Sequence, residues 1–161
     1  MKAIIAIVLV IVASLTAHFY IQATALPEVS DVEFTLIDGQ RISLRQLRGR
    51  SVLVTFWATS CAACIREIPG LISLYKRHSP KDLEIIAVAM PYDRPDHIIA
   101  MSKQRQLPYP VALDIDARTV SAFGNVRITP NNFLIGPDGR IIKQQIGILD
   151  VAATERLLQA M

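Results

Sequence analysis

Two cysteines, Cys61 and Cys64, are the residues of this chain whose type and spacing indicate chemistry. A continuous apolar, β-branched run, Ser51–Trp57, precedes them and predicts a strand buried on both faces. A helical pattern starts at Cys61 and continues to about His78. Two thiols at positions i and i+3 of a first helical turn lie close enough to form a disulfide. The strand, the cysteine pair and the helix together predict a redox-active dithiol.

The start of the helix is what would make one of these thiols reactive. A helix N-terminus presents unpaired amide donors and a partial positive charge, and both stabilise a thiolate on Cys61. The thiolate is the attacking species in thiol–disulfide exchange. The placement of Cys61 therefore matches what that reaction requires.

Three other uses of the cysteine pair are less consistent with the sequence. A structural zinc site needs two further ligands, and His78 and His97 stand too far apart for a zinc finger. Covalent haem attachment needs a histidine directly after the second cysteine, where this chain has Ile65. A purely structural disulfide that closes so small a loop would contribute little stability. The redox interpretation is therefore favoured.

An apolar segment opens the chain. Residues 3–17 are apolar apart from two hydroxyl residues, and Lys2 precedes them. Extended to Ile21, the run would form roughly 28 Å of helix, against roughly 30 Å for the hydrocarbon core of a bilayer. A positive charge before an apolar run places the N-terminus in the cytoplasm and the following domain outside. Residues 1–25 are thus predicted to be a membrane anchor.

A cleaved secretory signal is the alternative for the same segment, because the small residues Ala23 and Ala25 fit a cleavage site. The apolar stretch is longer than the roughly 7–15 residues of a signal core, which favours the anchor. Residues 26–31 read as a linker and residues 32–161 as one domain. Either interpretation places the domain in an exported compartment, tethered or soluble.

The net charge of +3 does not indicate a nucleic-acid partner. Lysines and arginines are scattered along the chain, and the densest group has no interleaved aromatic residues. That group is typical of a solvated hairpin and loop and consists of Arg41, Arg45, Arg48 and Arg50.

Strand and helix patterns alternate along the domain. Asp38-Gly39 between Glu33–Ile37 and Arg41–Ser43 predicts a β-hairpin. A second buried run, Leu83–Ala89, follows the cysteine helix and should pair in parallel with Ser51–Trp57. Further elements are predicted as a helix from Asp93 or Asp96 to about Gln106, a strand at Val111–Leu113, a helix at Ala117–Phe123, an antiparallel pair at Asn132–Ile135 and Arg140–Ile146, and a helix from Asp150 to Ala160.

Two details of the cysteine helix are also predicted. Thr59 or Ser60 should cap its N-terminus, and Pro69 should kink it. The fold expected from all these patterns is α/β, a mixed central sheet with helices on both faces and an N-terminal β-hairpin.

The stretch Phe56–Cys64, followed by Glu67 and Pro69, resembles the TlpA-like branch of the thioredoxin superfamily. The resemblance covers about residues 32–148 and includes the segment Val126–Gly139. Members of this branch are membrane-anchored, exported thiol-disulfide oxidoreductases, some of which act in cytochrome c maturation. The resemblance implies a thioredoxin-like fold and a location on the periplasmic side of a bacterial inner membrane, tethered by the anchor or soluble after cleavage of the signal.

The resemblance also implies roles for individual residues. Cys61 would be the exposed nucleophile and Cys64 the resolving thiol. Pro130 would be the cis-proline that faces the cysteine pair, and Thr129-Pro130 would leave an edge free for a substrate strand because proline has no N–H. An ordinary loop proline is the alternative for Pro130.

Glu67 lies one helical turn beyond Cys64, so its carboxylate could approach that thiol. The resemblance gives a glutamate here an active-site role. We expect it to handle the proton of Cys64, with a raised pKa if it is buried. A solvent-facing glutamate is the alternative. Thioredoxins carry a buried aspartate where this chain has Thr55 and a tryptophan where it has Ser60, which leaves Glu67 as the nearby carboxylate.

The expected activity is exchange of protein disulfides, with reduction as the favoured direction and apocytochrome c thiols as a target. A membrane thiol donor would restore the dithiol, and no cofactor or metal is needed since the two sulfurs carry the electrons. The alternatives are an oxidant that donates its disulfide and a copper-binding assembly chaperone. The chaperone would require His78 or His97 to reach the cysteines.

Overall fold

The computed structural model describes residues 31–161, together with Ser14, Thr16 and Val29. The predicted anchor, residues 1–25, lies outside the described residues apart from Ser14 and Thr16, and the predicted linker, residues 26–31, apart from Val29 and Asp31. Among the residues that are described, no helix has both the length and the apolar character needed to cross a bilayer.

Seven strands form one mixed sheet in the order β2-β1-β5-β4-β3-β6-β7. The strands are β1 (Glu33–Leu36), β2 (Arg41–Ser43), β3 (Ser51–Trp57), β4 (Leu83–Ala89), β5 (Val111–Leu113), β6 (Asn131–Ile135) and β7 (Ile141–Ile146). The central strands β3, β4 and β5 are parallel, whereas β1, β2, β6 and β7 pair antiparallel with their neighbours. The predicted hairpin, parallel pair and C-terminal antiparallel pair are confirmed.

Helices cover both faces of the sheet, as predicted. The helices are α1 (Ala62–His78), α2 (Pro95–Gln104), α3 (Arg118–Ala122) and α4 (Val151–Gln159), and a 3-10 turn spans Leu44–Leu47. Buried side chains of α1 and α2 belong to one apolar layer with those of β3 and β4, including Leu53, Leu74 and Ile98. The opposite layer is built around three aromatic rings in edge-to-face contact, those of Phe56, Phe123 and Phe133.

Strands β3 and β4 are buried at every position. One face of each strand packs against the first apolar layer and the other face against the second. Neither strand therefore shows the alternation of apolar and polar residues that is typical of a surface strand. The parallel pairing runs from Ser51 opposite Leu83 to Trp57 opposite Ala89. The carboxyl ends of β3, β4 and β5 therefore share one edge of the sheet, and the chain leaves that edge at Cys61 to enter α1.

The predicted cap of α1 and the predicted start of α2 are wrong. Helix α1 is capped by Cys61, not by Thr59 or Ser60, and α1 continues through Pro69. Helix α2 starts after Arg94 rather than at Asp93 or Asp96, because Pro95 occupies its first turn.

Candidate active site

The structure joins Cys61 and Cys64 in a disulfide, with their Cα atoms 5.2 Å apart. Cys61 is the N-cap of α1, and its Sγ accepts a hydrogen bond of 3.1 Å from the backbone N–H of Cys64. Cys61 is half-buried, whereas Cys64 is 3% exposed. An incoming thiol or disulfide can therefore meet Cys61, while Cys64 faces the interior.

The turn before Cys61 is held in place by Asp93, a residue that follows the neighbouring strand β4. Asp93, which follows β4, accepts hydrogen bonds from the Thr59 backbone N–H at 2.5 Å and from its hydroxyl at 2.8 Å. A carboxylate that receives two donors holds a loop firmly. Asp93 was expected to start a helix, and nothing in its local sequence indicates this contact with Thr59.

Glu67 is buried, with 3% of its surface exposed, so the solvent-facing alternative is wrong. Its Oε2 accepts hydrogen bonds from the Leu149 backbone N–H at 3.3 Å and from Asn132 Nδ2 at 3.5 Å. Burial raises the pKa of Glu67 to about 7, although the bonds from Leu149 and Asn132 and the nearby Thr55 hydroxyl act to lower it. The carboxyl group can therefore gain and lose a proton near neutral pH.

A small cavity brings the predicted site residues together. Its volume is about 10 Å³, at the lower limit of what one water molecule needs. The cavity is lined by Cys64, Glu67 and Pro130, and by side chains from the strands and loops around them, among them Thr55, Trp57, Leu107 and Tyr109. Cys64, Glu67 and Pro130 thus converge on one buried space.

The Thr129–Pro130 peptide bond is cis, as predicted. Pro130 is buried and Thr129 is half-buried at the entrance to β6. The Pro130 carbonyl accepts a hydrogen bond of 2.8 Å from the Gly147 backbone N–H. This contact ties the proline to the end of β7.

Large exposed apolar side chains concentrate on the same edge of the sheet. Parallel strands end there and antiparallel β6 begins there, so the residues just after β4 and β5, just before β6 and at the end of β7 share this edge. We call them the apolar rim, and they are Tyr92, Ile115, Ile128, Ile146 and Ile148. Exposed apolar side chains that cluster in this way are typical of a protein-binding surface.

The histidines do not join the cysteines. His78 lies about 20 Å further along α1 than Cys64, and its Nε2 is 3.3 Å from Glu155 Oε1. Within residues 31–161 and the three isolated described positions, no cluster of three or more histidine, cysteine, aspartate or glutamate side chains could hold a metal ion.

Three neighbours of Glu67 were not predicted as site residues: Thr55, Tyr109 and Asn132. Asn132 had a detectable signal, because Asn131 and Asn132 open a strand that continues as an apolar run, and a buried amide needs a hydrogen-bond partner. Tyr109 had none, since it reaches the site from a loop that only the tertiary fold brings close.

Comparison with known proteins agrees with this geometry. The AhpC/TSA family model matches residues 27–144. Thiol-disulfide oxidoreductase ResA of Bacillus anthracis is 34% identical over 123 residues, which cover 74% of this chain and 68% of that protein. ResA of Bacillus subtilis (strain 168) is 33% identical over 128 residues, which cover 78% and 70%.

A similar fold is present among solved structures. The solution structure of a protein from Neisseria meningitidis, described as a thioredoxin, has a TM-score of 0.76 at 28% identity. The match covers 82% of this chain and 87% of that one. The chain belongs to the AhpC/TSA family of the thioredoxin superfamily and, within it, to the TlpA-like thiol-disulfide oxidoreductases that include ResA.

Proposed function

We propose that this protein reduces protein disulfides through a dithiol–disulfide cycle of Cys61 and Cys64. The observation that carries the proposal is the asymmetry of the pair. Cys61 is half-buried at the N-terminus of a helix, and Cys64 is buried beside a carboxyl group whose pKa is raised to about 7. An accessible attacking sulfur and a protected resolving sulfur are what two-step exchange requires.

In the first step the Cys61 thiolate attacks one sulfur of a substrate disulfide. A Cys61–substrate disulfide forms, the substrate S–S bond breaks, and the departing substrate sulfur takes up a proton. In the second step Cys64 loses its proton and attacks Cys61 Sγ. The Cys61–Cys64 disulfide forms, the substrate leaves with its second thiol, and two electrons have passed to the substrate.

Glu67 is the proposed acceptor of the Cys64 proton. It lies one helical turn from Cys64 and lines the same cavity. A carboxyl group with a pKa near the working pH has the balance of basicity and ionised fraction that general base catalysis needs. Glu67 would carry the proton while Cys64 attacks.

Thr129 and Pro130 are the proposed substrate-binding residues. Pro130 lines the cavity beside Cys64, and proline has no N–H that would occupy the edge at which β6 begins. An extended substrate segment could then lie along Thr129 next to Cys61. The apolar rim, which includes Ile128 directly before Thr129, supports a polypeptide substrate rather than a small thiol.

The resemblance to the TlpA-like family supports reduction as the direction, apocytochrome c thiols as a target and a membrane thiol protein as the electron donor. Oxidation of substrates would use the same sulfurs, and the direction depends on the reduction potential of the pair.

Reduction of insulin by the purified domain, with dithiothreitol as the electron source, tests the proposed function. Turnover well above the dithiothreitol background is expected. Tight one-to-one copper binding without turnover would support the chaperone alternative and contradict the enzyme.

We also propose that residues 1–25 anchor the protein, residues 26–31 link the anchor to the domain at 32–161, and the domain faces the periplasm. The expected result is that full-length protein stays in the membrane fraction after carbonate extraction. A shortened product in the soluble fraction would contradict the anchor and support a cleaved signal.

A further inference from the structure

A buried tyrosine beside the active site has no part in the exchange cycle described above. Tyr109 lies two residues before β5 and is 4% exposed. It lines the cavity shared by Glu67 and Cys64. Tyr109 also lines a wider groove on the outside of the domain, together with Leu107. Tyr109 and Leu107 therefore stand between the Glu67 cavity and this outer groove.

The two carboxyl oxygens of Glu67 differ in the hydrogen bonds that they accept. Oε2 accepts the hydrogen bonds from Leu149 and Asn132, whereas no described residue forms a hydrogen bond of normal geometry with Oε1, although the nearby Thr55 hydroxyl lowers the pKa of the carboxyl group. When Glu67 takes the proton of Cys64 and later releases it, the ionised form must exist in this buried site. An ionised oxygen without a donor is costly there.

The Tyr109 hydroxyl is suited to act as a donor. Burial raises the pKa of Tyr109, and the negative charge of Glu67 raises it further, so the phenol keeps its proton. The two groups line the same cavity, so they lie close enough to interact electrostatically. The cavity between these side chains has a volume of about 10 Å³, which is enough for at most one bridging water molecule.

We infer that Tyr109 is a positioning residue for Glu67, and that its hydroxyl donates a hydrogen bond to the carboxylate directly or through one water molecule. Tyr109 thereby sets how readily Glu67 holds the proton of Cys64. The inference rests on the proposed role of Glu67 and adds a residue to it.

Few groups near Glu67 could change the pKa of its carboxyl group. Cys64 on its own helix and Tyr109 before β5 are the titratable ones. Strands β3 and β6 contribute Thr55, Trp57 and Asn132, which do not titrate, and the segment before α4 contributes a backbone N–H. Tyr109 is therefore the appropriate residue to change.

The test is the pH dependence of the second step in Tyr109→Phe, measured by stopped flow from a preformed mixed disulfide. The wild-type rate should rise with a midpoint near the Glu67 pKa of about 7. Loss of the hydroxyl should move the midpoint upward by about one pH unit, a tenfold change in proton affinity. An unmoved midpoint would overturn the inference.

Tyr75→Phe is the matched control. The Tyr75 ring lies 5.9 Å from that of Tyr109 and lines the outer groove but not the Glu67 cavity. Removal of its hydroxyl should leave the midpoint in place. A shift equal to that of Tyr109→Phe would show a general effect of repacking and would also overturn the inference.

Glu67→Gln separates this inference from the proposed function on which it rests. If Glu67→Gln leaves the pH profile unchanged, the role of Glu67 itself fails. If Glu67→Gln flattens the profile, Tyr109→Phe should have no further effect when it is added to Glu67→Gln. A further shift in that double variant would show that Tyr109 acts on some other group.

Discussion

Cys61→Ser should abolish insulin reduction, lowering turnover at least about a hundredfold, to the dithiothreitol background. The reason is chemical, since only a thiolate attacks a disulfide at neutral pH, and a serine hydroxyl is not ionised there. Cys61 is also the sulfur of the pair that is accessible, because Cys64 is 3% exposed. The measurement is the rate of insulin precipitation with equal concentrations of wild type and variant.

Ser60→Ala is the matched control for this variant. Ser60 is exposed and directly precedes Cys61, outside the helix that holds the cysteines. Its turnover should stay close to that of the wild type. Retention of a substantial fraction of activity by Cys61→Ser would mean that Cys64 or another group performs the attack.

Glu67→Gln should slow the second step of exchange by about 10- to 100-fold above pH 7 and remove its rise through neutral pH. Glutamine keeps the shape of the side chain and cannot accept the Cys64 proton. Because burial raises the pKa of Glu67 to about 7, the wild-type carboxylate is the acceptor above that pH and is protonated below it. Equal rates for both proteins at every pH from 5 to 9 would show that Glu67 does not accept the Cys64 proton.

The same raised pKa predicts an effect of Glu67→Gln on stability. The pKa of Glu67 is higher in the folded protein, about 7, than its ordinary value of 4.5. The folded state therefore favours the protonated form, and this contribution is complete below pH 4.5 and is lost as pH rises through 7. Relative to Glu67→Gln, the wild type should lose about 3 kcal/mol of unfolding free energy between pH 4 and pH 8.

Urea unfolding of both proteins at the two pH values measures this difference. Glu155→Gln serves as the control, because Glu155 lies on α4 and its pKa is lowered by Arg77 and His78 rather than raised. Glu155→Gln keeps Glu67, so it should lose stability through pH 7 just as the wild type does. An identical pH dependence for wild type and Glu67→Gln would contradict the buried, high-pKa carboxyl group.

The fold could be predicted largely because its elements have strong local signals. The run Ser51–Trp57 is apolar throughout, and Asp38-Gly39 is flanked by strand patterns, so each predicts its element without knowledge of the rest. Cys61 and Cys64 are recognisable for the same reason, since their chemistry depends on spacing along one helix. The resemblance to a known family added Pro130 and the role of Glu67.

The remaining site residues could not be predicted, because their contacts are made between distant segments. Asp93 looks like a helix cap in the sequence, but it binds the backbone N–H and hydroxyl of Thr59 instead. Tyr109 belongs to an unremarkable loop and meets Glu67 only when that loop packs over α1. A contact between two segments that are distant in the sequence leaves no periodic pattern in either of them.

In the proposed cycle, Cys61 attacks the substrate and Cys64 releases it. The most direct measurement is the intact mass of reduced Cys64→Ala after incubation with insulin, compared with reduced Cys61→Ala under the same conditions. Cys64→Ala should accumulate an insulin adduct that dithiothreitol removes, because the resolving thiol is missing. Cys61→Ala should trap almost none, since its remaining sulfur is 3% exposed in the wild type. Absence of an adduct on Cys64→Ala, or equal adducts on both variants, would contradict the account.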